Sequence, residues 1–182
     1  MKRIFLIGYM GSGKTTLGRA YAKATGLSFV DLDWYIEERS HRTVSQLFAE
    51  EGEEGFRRLE RRMLHEVSEF EDVIIACGGG TPCFGDNMEF MKKQGITVFL
   101  DASLDVLFRR LKVASSGRPL LKGKTDTELR EFIEAGISAR MPWYGQAELR
   151  MDACRLETRQ QITESVDFLS ALLEENEHSS NL

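Results

Sequence analysis

The sequence predicts an α/β fold, a parallel sheet wrapped by helices, and three observations carry that expectation. Short apolar runs rich in β-branched or aromatic residues alternate with longer helical patterns. The segment Gly8-Tyr9-Met10-Gly11-Ser12-Gly13-Lys14-Thr15 matches G-x-x-x-x-G-K-[ST], and it lies between a buried-strand run, Ile4 to Ile7, and an apolar-periodic helix. Asp31-Leu32-Asp33 and Gly78-Gly79-Gly80 each end a strand candidate, where open parallel sheets bind their ligands.

The elements follow in order. The first strand spans Arg3 to Gly8, and the first helix runs from Lys14 to Thr25 and stops at Gly26. A second strand covers Ser28 to Asp31, and a helix begins at Trp34. Phe56, Leu59, Met63 and Val67 form the apolar stripe of a further helix. Val73 to Cys77 reads as the third strand, Asn87 to Gln94 as a helix ending at Gly95, and Thr97 to Asp101 as the fourth strand. Ser103 caps a helix through Leu111, and Thr125 or Asp126 starts another through Ala139, with a helix end broken before Pro142. Leu149 to Cys154 is the fifth strand candidate, and Glu157 or Thr158 opens a last helix to about Glu175. Residues 176–182 are expected to fray.

At 182 residues and 42% hydrophobic, the chain suits one domain, taken as residues 1–175. A net charge of -5 argues against a general nucleic-acid or anionic-membrane binder and toward a small ligand. Cys77, Cys83 and Cys154 are an odd number without a close CxxC pair, which suggests neither a disulfide framework nor a zinc site. Reduced thiols, no signal-peptide pattern and no spanning apolar run give the expectation of a cytoplasmic protein. A compact acidic domain without a coiled-coil pattern is expected to be a monomer.

The phosphate-loop motif implies a nucleoside triphosphate with Mg²⁺. Its glycines let backbone N–H groups turn inward at the positive end of a helix. Lys14 then reaches the β- and γ-phosphates, and the Thr15 hydroxyl suits Mg²⁺. Along an extended chain Asp31 and Asp33 face one side, one for the metal and one for a hydroxyl nucleophile; a helix cap is the other reading of Asp33. The third strand lacks a terminal acid of the Walker-B kind, which leaves Asp31 as the metal-shell candidate. The triple glycine either presents backbone to a substrate or makes a surface turn. Glu53 with Arg57, and Glu54 with Arg58, are i,i+4 pairs that a solvated helix face explains without a ligand. Arg118-Pro119-Leu120-Leu121 lies in a polar interruption between helices, read as a lid over the γ-phosphate or as a basic surface loop. Arg140, before Pro142, is free to point into the crevice.

Taken together, G-x-x-x-x-G-K-T, D-x-D, F-R-x-x-E, G-G-G-x-P, R-P-L-L and R-x-P-x-Y resemble shikimate kinase, from Ile4 to about Asp152. The resemblance implies a P-loop, nucleoside-monophosphate-kinase-like fold in three layers, with a five-stranded parallel sheet of order 2-3-1-4-5 and helices on both faces. It also implies a substrate-binding helical segment at about 33–62 and a mobile lid at about 112–125. The implied reaction moves the ATP γ-phosphate to the 3-hydroxyl of shikimate, giving shikimate 3-phosphate and ADP in chorismate and aromatic amino-acid biosynthesis.

By the same resemblance, Asp33 contacts the shikimate hydroxyls, Arg57 and Arg140 its carboxylate, and the Gly79 and Gly80 backbone completes that pocket. Gly11, Ser12, Gly13, Lys14, Thr15 and Thr16 hold phosphate, Arg118 touches it from the lid, and Asp31 serves Mg²⁺ through water. Arg110 matches a position that stacks on adenine, and Leu156 takes the place expected of a basic contact near Arg155. Phe48 and Phe56 would wall the substrate ring. Two other functions stay open: a gluconate kinase on the same fold, and a module that binds or hydrolyses ATP for regulation.

Overall fold

The computed structural model describes residues 2–114, 121 and 123–179. Five strands, β1 (Arg3–Ile7), β2 (Ser28–Asp31), β3 (Val73–Ala76), β4 (Ile96–Asp101) and β5 (Leu149–Asp152), form one parallel sheet in the order β2-β3-β1-β4-β5. Ile4, Phe5, Leu6 and Ile7 of the central strand are all fully buried. Successive strand residues point to opposite faces, so burial of all four means that both faces of the sheet are covered. The α/β expectation, the parallel sheet and the strand order are therefore met.

Register sets where the loops open. Leu6 and Asp31 are both paired with Ala76, so the ends of β1, β2 and β3 lie in one row across the sheet. The loops that follow start at the same height and share one crevice, as parallel strands with crossover connections require.

Seven α-helices complete the described residues: α1 (Lys14–Thr25), α2 (Leu32–Ser40), α3 (Val44–Val67), α4 (Asn87–Gln94), α5 (Leu104–Ala114), α6 (Asp126–Tyr144) and α7 (Arg159–Ser179). The helix stop at Gly26 is a left-handed cap (φ 79°), and Thr125 opens α6 in a reciprocal capping box with Glu128. None of the helices is long and apolar enough to cross a membrane.

Three local expectations need correction. First, α2 starts at Leu32 and its cap is Asp31, whose carboxylate accepts from the Trp34 N–H at 3.4 Å; Asp33 is therefore in the first helical turn and not on an extended strand. Second, α6 does not break before Pro142 but continues to Tyr144. Proline removes one helical hydrogen bond, yet the last turn is held by the buried Tyr144, whose ring stacks on Phe99 at 5.1 Å and whose hydroxyl donates to the Gly79 carbonyl at 2.6 Å. Third, α7 extends to Ser179, past the expected end near Glu175.

Helix α3 is bent at Gly52, where φ 69° and ψ 178° interrupt the helical backbone. The bend brings Phe48 of the first half against Phe56 of the second, with ring centroids 4.3 Å apart. A Cβ at Gly52 would meet no neighbouring atom, so its cost would be purely conformational. Gly52→Ala is expected to destabilise the protein by about 1–3 kcal/mol in chemical denaturation. An unchanged midpoint would show that this backbone conformation carries no strain.

Candidate active site

The loop between β1 and α1 is built on left-handed glycines, with φ of 144° at Gly8, 80° at Gly11 and 98° at Gly13. At Gly13 a side chain would also collide with Leu156. Helix α1 has no side-chain cap and no acidic residue in its first turn, so its leading N–H groups stand open to an anion. Ser12 is buried within the loop, while Thr16 is exposed on the first turn of α1. The Lys14 ammonium folds back onto this loop, donating to the carbonyls of Gly8 (2.8 Å) and Tyr9 (3.0 Å).

Across the crevice, the Thr15 hydroxyl donates to the Asp31 carboxylate at 2.7 Å. Asp31 thus caps α2 with one oxygen and holds Thr15 with the other. Hydroxyl and carboxylate form an all-oxygen donor pair beside the phosphate loop, which fits the hard-ligand preference of Mg²⁺. Among the described residues no cluster of three His, Cys, Asp or Glu side chains forms a dedicated metal cage. A two-donor site suits an ion that keeps its waters and shares phosphate oxygens.

Asp31 and Asp33 both line a cavity of about 970 Å³, together with Lys14, Phe48, Arg57 and Arg140. The strand argument for this convergence fails, because Asp33 sits in the first turn of α2; the helical turn brings it over the end of β3 instead. There a Cβ on Gly78 would come within 3.0 Å of the carboxylates of both Asp33 and Glu60. Burial in this company pushes the Asp33 carboxyl up to about 6, first through desolvation and then through the negative charges of Glu60 and Asp31, with Lys14 and Arg57 opposing.

Glu60 closes the F-R-x-x-E motif, but the sequence reading gives it no role of its own. It is fully buried, and its carboxylate accepts from Arg57 Nη1 at 2.7 Å and from the Thr81 hydroxyl at 2.6 Å. Phe56, Glu60, Met63, Leu64 and Val67 are the buried positions at helical spacing, so a glutamate stands on the apolar stripe itself. That misfit between charge and periodicity was the available signal. It also corrects the reading of Arg57. Glu53 is 3.8 Å from Arg57, whereas Glu60 is 2.7 Å away on the buried side, so the guanidinium turns inward. Arg58 behaves as expected, pairing with Glu54 at 2.7 Å on an exposed helix face.

None of Gly78, Gly79 and Gly80 has a positive φ, and close approach singles out Gly80, since a Cβ on Gly79 would come no nearer than 3.5 Å to any neighbour. The Arg57 guanidinium packs so tightly on Gly80 that any Cβ there would overlap it. Gly79 is held by the hydrogen bond from Tyr144 to its carbonyl, which leaves the loop backbone facing the cavity. Arg140, one helical turn before Tyr144, donates to the Gly136 carbonyl at 3.1 Å and lies over the Tyr9 ring.

At the other end of the cavity, Arg110 donates to the Gly11 carbonyl (3.2 Å) and to Glu157 (2.9 Å). Leu156 lines the cavity, while Arg155 pairs with Glu164 at 3.4 Å. Cys77 is buried beside Met91, and burial pushes its thiol well above the ordinary range, so it packs as a neutral group. Arg118, and with it most of the expected lid, lies outside the described residues.

A parallel sheet of this order, a phosphate loop, and an acceptor cleft with a carboxylate of raised proton affinity define a P-loop small-molecule kinase. The sequence model of the family described as shikimate kinase matches residues 10–170. A curated shikimate kinase of Bacteroides thetaiotaomicron is 59% identical over 174 residues, covering 96% of this chain and 99% of its own. The crystal structure of a shikimate kinase from that organism superposes with a TM-score of 0.93, covering 95% of this chain and 98% of that one. A shikimate kinase from Acinetobacter baumannii, solved in complex with shikimate, has a TM-score of 0.85 at 29% identity, covering 97% of this chain and 94% of its own. The chain belongs to the shikimate kinase family.

The raised Asp33 pKa has a stability consequence. Between its ordinary value near 3.8 and about 6 the native state holds a proton that the unfolded chain has released, so stability falls as pH rises through that window. Above pH 6 the whole penalty is present. Asp33→Asn is expected to raise stability at pH 7.5 by about 1–2 kcal/mol, with the gain vanishing below pH 4. Denaturation at both pH values checks this, and a destabilised variant at pH 7.5 would contradict it.

Proposed function

We propose that the protein transfers the γ-phosphoryl group of ATP to the 3-hydroxyl of shikimate, forming shikimate 3-phosphate and ADP on the route to chorismate and the aromatic amino acids. The observation that carries this reading is the single cavity in which the phosphate loop faces Asp33 and the inward-turned Arg57.

Each group then has a task. Lys14 leaves the loop carbonyls to meet the β- and γ-phosphates, and the uncapped start of α1 supplies N–H donors to them. Thr15 and Asp31 would hold Mg²⁺, Asp31 through water. Bound there, Mg²⁺ supplies neutralisation of phosphate charge. Asp33 orients the acceptor hydroxyl and takes its proton, a role its raised proton affinity favours at neutral pH. Arg57 and Arg140 present planar donors to the acceptor's carboxylate beside the Gly79 and Gly80 backbone. Phe48 and Phe56 form the apolar wall behind Arg57. Arg110 and Leu156 border the nucleoside end of the cavity. Arg118 is assigned to the γ-phosphate, and the interval 112–125 to a lid, by family resemblance. We read the enzyme as a monomer and place it in the cytoplasm.

ADP release from ATP and Mg²⁺ is expected to depend on shikimate and not on gluconate or nucleoside monophosphates. Turnover with gluconate instead would reassign the acceptor pocket, and release without any acceptor would favour a regulatory ATPase. With shikimate, kcat/KM should fall as pH drops below about 6, where Asp33 becomes protonated; a flat profile between pH 5 and 8 would exclude Asp33 as the base. Arg57→Lys should raise the shikimate KM at least tenfold, because an ammonium cannot reproduce a planar two-point contact and leaves Glu60 poorly paired. Unchanged shikimate affinity would refute the assignment.

A further inference from the structure

We propose that Tyr9 and Gly136 form the seat that sets the position of the Arg140 guanidinium, which makes Tyr9 a positioning residue for recognition of the acceptor's carboxylate. The inference rests on the acceptor proposed above and adds a residue that the phosphate-loop motif leaves unspecified, since position 9 is one of its free positions.

Tyr9 is 3% exposed, and the Arg140 guanidinium lies 5.2 Å above its ring centroid. A cation over an aromatic face is attracted to it while its N–H groups stay available at the edge of the guanidinium plane. The other carboxylate-directed arginine is carried in the same way, with Arg57 5.4 Å from the Phe56 ring and 5.8 Å from Phe48. Arg140 is fixed from a second side by its hydrogen bond to the Gly136 carbonyl at 3.1 Å.

Gly136 lies in the interior of α6, where glycine is a poor helix former and calls for a packing reason. The reason is the seat. A Cβ at Gly136 would stand 2.5 Å from the Tyr9 hydroxyl oxygen, 2.8 Å from Tyr9 Cε2 and 3.0 Å from Arg140 Nη1. Only a residue without a side chain admits the tyrosine and the arginine together. The Tyr9 hydroxyl is buried, which raises its proton affinity, while the neighbouring Arg140 guanidinium lowers it, so the arginine meets both the ring and the hydroxyl end of the tyrosine. Because Tyr9 follows Gly8 on the phosphate loop, the seat ties the acceptor's carboxylate ligand to the element that binds the donor nucleotide.

The test is steady-state kinetics on wild type, Tyr9→Leu, Tyr9→Phe, Gly136→Ala and the Tyr9→Phe/Gly136→Ala pair, with the ATP KM and melting temperature measured beside the shikimate KM. Tyr9→Leu is expected to raise the shikimate KM about tenfold with the ATP KM changed less than about twofold. Tyr9→Phe, which keeps the ring and loses only the hydroxyl, should raise the shikimate KM distinctly less than Tyr9→Leu. Gly136→Ala should raise it, and the pair should recover part of that loss because the oxygen nearest the new methyl is gone. A partly unfolded variant would lose kcat and leave KM unchanged, so the KM shift separates positioning from stability. A wild-type shikimate KM in Tyr9→Leu, or equal losses in Tyr9→Leu and Tyr9→Phe, would overturn the seat while leaving the acceptor intact. Absence of shikimate-dependent turnover in the wild type would overturn the acceptor itself.

Discussion

The organisation of the acceptor side depends on one buried charge. Glu60 lies on the apolar stripe of α3, fully out of water, and a carboxylate there is tolerable only when its oxygens are paired. Arg57 supplies one partner and Thr81 the other, so a single side chain ties α3 to the loop after β3. Desolvation is the main cause of the raised proton affinity of Asp33; the same carboxylate adds to it and turns Arg57 away from solvent. Structure and electrostatics thus share one constraint: satisfying Glu60 sets the direction of Arg57 and adds to the proton affinity of Asp33.

The phosphate side obeys a different rule, set by register. Leu6, Ala76 and Asp31 occupy one row of the sheet, which brings the ends of β1, β3 and β2 to the same level. Asp31 therefore reaches Thr15 although the two are separated by another strand. Helix cap, Thr15 hydroxyl and phosphate loop are joined through that carboxylate. Aromatic faces complete the arrangement on the acceptor side, where Phe48 and Phe56 carry Arg57 and Tyr9 carries Arg140. Each guanidinium is held twice, by an aromatic face and by a hydrogen bond from Nη1, to Glu60 for Arg57 and to the Gly136 carbonyl for Arg140.

Much of the site was legible in the residues because its motifs are local. The phosphate loop needs glycines at fixed offsets to reach left-handed backbone, and that demand leaves a pattern in the chain. The i,i+4 pair of Glu54 and Arg58 is equally local and reads correctly. The charge on Arg57 is not local in the same sense: two carboxylates compete for it, and burial decides in favour of Glu60. Likewise Asp33 reads naturally as the end of a strand, and only the cap made by Asp31 turns it into a helical residue. Pro142 reads as a break, and the buried Tyr144 beyond it holds the helix together.

What the sequence determined by itself was the class of fold, the five strands, the phosphate loop and the family, since each is carried by short-range patterns of hydrophobicity, glycine spacing and charge. The tertiary structure alone decided which acid caps and which acid lies buried over the triple glycine, which carboxylate Arg57 prefers, and why glycines stand at positions 80 and 136. The physical reason is that desolvation and close approach are properties of space. A carboxylate becomes costly, an arginine becomes oriented and a missing Cβ becomes necessary only when residues far apart in the chain remove water from one another.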